Sequence, residues 1–225
     1  MQFACELELP LLVKLGCELC GTFTPYRSFD PGGAKSREPI TSVQKAGEYL
    51  DRTRGLWGVR IARKALPYVL DNFASVKETE TALLLSLPKH YGGFGIPKPV
   101  MNMQIDFDEG ARTIAGTAIA RADMCWPDCK LDVEYDSDEY HSLTGDILHD
   151  NERANALRHL GYQVIFVTRD QQKYSVPFEG LAKDIARATG TYLRRSVLED
   201  DSKRTALRCL FEQSGSLLVF RDIAP

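Results

Sequence analysis

Between residues 75 and 167 the apolar positions switch repeatedly between a helical period and alternation. In SVKETETALLLSLP, Ser75 stands three residues before Glu78, a capping-box start, and Val76, Leu83, Leu84 and Leu87 predict a helix that stops by Pro88. The glycine-rich turn YGGFGIPKP leads into VMNMQIDF (100 to 107), a strand, and DEG at 108 to 110 reads as a hairpin turn. Two more strands are predicted, from about Thr113 to Trp126 and from about Lys130 to Asp136. Thr144 caps a helix that runs to about Leu160, with Ile147, Ala154, Leu157 and Leu160 on one side and Gly161 at its exit. The short apolar run YQVIFV (162 to 167) suits a covered central strand. The resulting order is helix, three strands, helix, strand.

The flanks are less regular. Residues 1 to 55 combine an apolar start, the cluster SFDPGGAKSREP and a short helical pattern from Thr41 to Leu50, and form an N-terminal extension. The basic segment RIARKALPYVL is helical in its first half and kinked or ended by Pro67. From Phe178 onward the chain is mainly helical, before a last strand over SLLVF. The expected division is therefore an extension at 1 to 55, a core domain at 56 to 172 and a C-terminal helical extension at 173 to 225, in an α/β (α+β) fold.

The strand LDVEYD carries the chemistry. Alternation puts Asp132, Glu134 and Asp136 on one side and Leu131, Val133 and Tyr135 on the other. In the preceding strand Ala118, Ala122, Met124 and Trp126 form the apolar set, and Asp123 belongs with Thr117, Ile119 and Arg121. If Pro127 to Lys130 form the loop, Trp126 pairs with Leu131 and Asp123 lies opposite Glu134, with Cβ atoms about 5 Å apart. A register two residues shorter would set Asp123 against Asp132 instead. Facing carboxylates repel and require compensation. A hard divalent ion supplies it, since Mg²⁺ is held by one or two carboxylates plus water and phosphate. The plainer alternative is a solvated acidic face in which Arg121 pairs with Asp136.

With 225 residues, 44% of them hydrophobic, the chain can bury one sizeable core. The net charge of −3 leaves any polyanion partner to a local patch of cations. No apolar run reaches about 18 residues, and the start lacks a basic segment, which together predict a cytoplasmic protein with no membrane partner. Cys17 with Cys20 and Cys125 with Cys129 offer four zinc ligands in principle, but more than 100 residues separate the pairs, and buried thiols are the expectation.

Taken together, RADMCWPDCKLDVEYD, the later His141, the D..R of Asp150 and Arg153, and LGYQVIFV resemble nuclease-like domains related to very-short-patch repair endonucleases, within the PD-(D/E)XK superfamily. The resemblance covers about residues 60 to 170 and implies a restriction-endonuclease-like core. It implies that Asp123 and Glu134 bind Mg²⁺ or Mn²⁺, that Glu78 on the first helix joins them, and that His141 or Asp136 handles the proton. Asp136 stands where many members have lysine, which puts the proton-transfer step in question. Glu78 is equally explained by its capping box, and Asp150 with Arg153 by a local ion pair. DNA contacts would come from Arg153 and Arg158 on one segment and Arg63 and Lys64, with Arg60, on another. The implied function is a metal-dependent DNA endonuclease. Its alternative is an inactive nucleic-acid-binding or regulatory module of a defence or toxin-antitoxin system, and assembly as a homodimer or with a partner protein is open.

Overall fold

The computed structural model describes residues 2–24, 36–136, 144–194 and 201–217, without the side chains of Gln2, Asp136, residues 144–149 and Asp201. His141 lies outside the described residues, as do residues 218–220 of the strand expected at SLLVF. The protein is mixed α/β and divides into two compact units, Met1–Gly95 with Asp200–Pro225, and Ile96–Glu199. These boundaries differ from the division at 55 and 172 expected from sequence.

The first unit is helical: α1 Leu9–Leu19, α2 Val43–Arg52, α3 Val59–Ala65, α4 Val76–Ser86 and, from the far end of the chain, α9 Asp201–Ser214. Ser42 caps α2 and Ser75 caps α4 through their side chains. A 3-10 turn over Leu66–Tyr68 follows α3 where Pro67 removes a donor. Every residue of α4 from Glu78 to Leu85 is buried, because α1 and α9 both pack on it. That burial places the helix in this unit, although sequence pattern assigned it to the core of the strands. At the centre Lys14 of α1, with no exposed surface, donates to Glu80 Oε1 of α4 at 2.8 Å and to Ser214 Oγ of α9 at 3.2 Å.

The second unit carries one four-stranded mixed sheet, β1 Val100–Asp106, β2 Ile119–Trp126, β3 Leu131–Asp136 and β4 Gln163–Thr168, in that spatial order. β1, β2 and β3 form an antiparallel meander, and β4 joins parallel to β3 through the crossover helix α6 Thr144–His159. β4 is thus an edge strand, with Phe166 39% exposed, rather than the covered central strand its apolar run predicts. The expected hairpin at 108 to 110 is instead α5 Glu109–Ala115. Asp108 caps it by accepting the Ala111 N–H at 2.8 Å, and Gly116 ends it at φ +66°. β2 therefore begins at Ile119, later than expected.

One side of the sheet is closed by α5 and α6, whose Ala111, Ala115, Ala156 and Leu157 pack with Ile105, Ala120, Ala122 and Cys125. At the β4 end α6 stops at Gly161, φ +85°, where Lys130 Nζ donates to the Leu160 carbonyl at 2.8 Å. Thr168 then opens α7 Arg169–Lys173 with a capping box through Gln171, and α8 Ser175–Ala188 follows, burying Phe178, Leu181, Ala182 and Ile185.

Candidate functional site

The turn between β2 and β3 sets the register. Pro127–Cys129 form a 3-10 turn, and Lys130 completes it at φ +49°. Trp126 pairs with Leu131, Cys125 with Asp132 and Met124 with Val133, the register expected from a four-residue loop. Trp126 anchors the corner by donating its indole N–H to the Pro97 carbonyl at 2.7 Å.

One step further the regular ladder gives way. There the Tyr135 N–H donates to Asp123 Oδ2 at 2.9 Å. On the other side of β2, Asn102 in the same row of β1 takes φ +48°, a conformation that asparagine tolerates better than most residues. Ala122 and Cys125 pack into one cluster although an odd number of positions separates them. Strand alternation therefore slips across Asp123, and its assignment to one face with Ile119 and Arg121 does not hold.

Around this break three carboxylates converge. Asp132 is fully buried and Glu134 is 5% exposed, so for these two acids the plainer expectation of a solvated face does not hold, while the Arg121–Asp136 pair it included lies outside the described side chains. Both Asp132 oxygens and Glu134 Oε1 are buried without a hydrogen-bond partner among the described residues. Asp132 and Glu134 bear on each other as charges, which raises the Glu134 pKa further. One cation answers them: Arg153 Nη2 of α6 lies 3.1 Å from Glu134 Oε2 and 3.7 Å from Asp150 Oδ1, and its Nη1 donates to the Arg121 carbonyl at 3.1 Å.

Three carboxylates, two of them buried, against one guanidinium among the described residues favour protonation. Burial, then the charges of Asp123 and Asp132, push the Glu134 carboxyl up to about 10. Burial and the Asp123 charge raise Asp132 to about 6. Burial also raises Asp123, opposed by the Tyr135 N–H and by Arg153. Burial works against the Arg153 charge, but Glu134, Asp123, Asp150 and Asp132 together hold its pKa above the usual arginine value. The cluster accordingly holds protons more tightly than free carboxyls do.

The other expected residues fall in several places. Glu78 belongs to the first unit, where Glu78 Oε2 accepts the Ala74 N–H at 3.1 Å while its own N–H reaches Ser75 Oγ at 3.1 Å, the bonds of a helix cap. Arg63 sends Nη2 to the Leu50 and Thr53 carbonyls at 2.6 and 3.0 Å, closing the end of α2. Arg158 is exposed and bonds Asn155 Oδ1 at 3.1 Å, and Lys64 is exposed on α3. Asp136 ends β3, but its side chain, like the whole of His141, is outside the described residues.

Asp132 was legible as an acid on the Glu134 face, but not as a buried partner of the site. The signal available was its position opposite Cys125, next to the apolar ends of two strands. Cys17 and Cys20 lie in the first unit and Cys125 and Cys129 in the second, all as free thiols. Burial pushes Cys20 and Cys125 up to about 12. Among the described residues no group of three or more His, Cys, Asp or Glu side chains is arranged to hold a metal ion. Among them, too, no helix is long and apolar enough to cross a membrane.

No protein-family model matches the chain, and no solved structure matches it. Two uncharacterized proteins of Mycobacterium tuberculosis, MT2308 of strain CDC 1551 and Rv2248 of strain H37Rv, are each 29% identical to it over 117 residues. The match takes in 52% of this chain and spans only 38% of the length of those relatives.

Proposed function

We propose that the chain is a metal-dependent DNA endonuclease, related to very-short-patch repair endonucleases and built on a restriction-endonuclease-like core. The observation that carries this reading is the pair Asp123 and Glu134 on neighbouring strands, with orphaned carboxylate oxygens beside them. The donors are all hard oxygens and fit Mg²⁺ or Mn²⁺, for which two carboxylates suffice when water and phosphate fill the remaining positions. Asp123 and Glu134 would hold the ion. When bound, it supplies charge neutralisation at the phosphoryl oxygens and acidifies a coordinated water.

The protein's own groups do the rest. Tyr135 N–H fixes one oxygen of Asp123. Arg153 steadies Glu134 and is within reach of a phosphate if that pairing opens. His141 or Asp136 takes the proton from the attacking water. In the sheet unit Arg158 would meet phosphates by charge alone, with Arg153 contributing where its present bonds allow, and in the helical unit Lys64 and Arg63 offer the same chemistry.

Plasmid nicking in Mg²⁺ or Mn²⁺ tests the reading, with activity in the wild type and background levels in Asp123→Asn and Glu134→Gln expected. A second reading, a regulatory or binding module without cleavage, is favoured by aspartate at 136 in place of lysine and by the ion pair that already occupies Glu134. It predicts a DNA mobility shift with no nicking under any metal.

A further inference from the structure

Between α2 and α3 the chain folds the segment RGLWGV around a concavity of about 1110 Å³. Two left-handed glycines, Gly55 at φ +73° and Gly58 at φ +85°, bend the loop, and Arg63 ties its near end to the carbonyls of Leu50 and Thr53. Held out on this loop is Trp57, 85% exposed, whose indole N–H has no hydrogen-bond partner among the described residues. Leu56 and Ile61, 53% and 37% exposed, supply the remaining apolar wall.

Cations surround the ring. Arg54, Arg60 and Lys64 line the same concavity, and none of them makes an ion pair or hydrogen bond among the described residues. Arg60 and Lys64 are four apart on α3 and share one side of the helix. Asp51 is the one anion in the lining. A chain of net charge −3 thus concentrates positive charge about the most exposed aromatic ring among its described residues. Unpaired cations beside a free π-face match a polyanion that offers flat rings. A lipid surface would use the same ring and cations, and titration with phosphatidylserine vesicles separates it from a nucleic acid.

We infer that this concavity binds single-stranded DNA, with an unpaired base stacked on Trp57 and its neighbouring phosphates held by Arg60 and Lys64. The choice of DNA rests on the proposed nuclease reading, while the surface itself shares no residue with the carboxylate cluster and needs no metal.

The chain has two tryptophans, and Trp126 is buried and bonded to Pro97, so a change in tryptophan emission on adding a ligand reports Trp57. Titration with a twelve-nucleotide oligo(dT) in EDTA should quench the emission of the full chain. Trp57→Ala should weaken binding, followed by oligonucleotide anisotropy, by about tenfold or more, and Trp57→Phe far less. Arg60→Gln with Lys64→Gln should flatten the log–log salt dependence by about 1.4, two single-strand phosphates at about 0.7 each. Equal binding by Trp57→Ala and wild type would overturn the inference. So would emission that responds to phosphatidylserine vesicles and not to oligo(dT). Glu134→Gln should leave the quench intact. If wild type quenches but never nicks, only the nuclease reading falls, whereas nicking without binding of oligo(dT) removes this surface alone.

Discussion

Arg153 reaches across from α6 to place its guanidinium 3.1 Å from the Glu134 carboxylate, and it is the one side-chain cation hydrogen-bonded to this carboxylate among the described residues. Its removal leaves buried acids without a counter-charge. A buried pair broken on one side costs about 3–5 kcal/mol, but Arg153 is 31% exposed, and solvent screening reduces the expected loss for Arg153→Ala to about 1–3 kcal/mol. Chemical denaturation in EDTA measures it. Arg153→Lys should recover part of the loss, and saturating Mn²⁺ should recover more in Arg153→Ala than in wild type.

The acidic cluster also sets a pH dependence. The Glu134 carboxyl rises from an ordinary 4.5 to about 10 on folding, so the folded state holds this proton more tightly than the unfolded chain. The contribution is whole below the ordinary value and is lost as pH climbs toward the folded one, at up to about 1.4 kcal/mol per pH unit. Metal-free protein should therefore lose stability from about pH 5 to pH 9, and Glu134→Gln should flatten that slope. Because ion and proton compete for the same oxygens, stabilisation by Mg²⁺ should be largest at the alkaline end.

Asp132 should behave as a liability without a cation. Asp132→Asn removes a fully buried charge and lifts its repulsion from Glu134. The metal-free variant should melt higher than wild type, and the Glu134 carboxyl, followed by carbon NMR, should titrate at lower pH. An unchanged titration would separate the two acids.

Stability of the first unit should hinge on Lys14. Lys14→Met leaves Glu80, which is 4% exposed, with the half-exposed Lys77 Nζ at 2.8 Å as its remaining cation among the described residues. It should cost less than the about 3–5 kcal/mol of a wholly broken buried pair, whereas Lys14→Met combined with Glu80→Leu should lie closer to wild type. Equilibrium unfolding of the single and double variants makes this comparison as a double-mutant cycle.

Much of this was readable in advance wherever a local signal agreed with its surroundings. Ser75, Pro67 and Gly161 punctuate the helices where they were expected to, and the four-residue turn at Pro127 fixed the β2–β3 register. Local signals failed where they were ambiguous. DEG serves a hairpin or a helix cap equally well, and Asp108 took the second role. YQVIFV has the composition of a central strand, but nothing in it counts how many neighbours it will have. The depth of Asp132 and the reach of Arg153 depend on how α6 lies over the sheet, a long-range fact that no window of neighbouring residues contains.

The helical unit is assembled from two stretches of chain with the whole sheet unit between them. A ribosome delivers residues 96–199 as one continuous block, free to collapse as soon as it emerges. Lys14 and Glu18, by contrast, stay without Ser214 and Ser216 until those residues have been made, about 200 positions later. Synthesis order thus favours completing the sheet first, and a premature stop near residue 200 would spare it while leaving the helices unfinished.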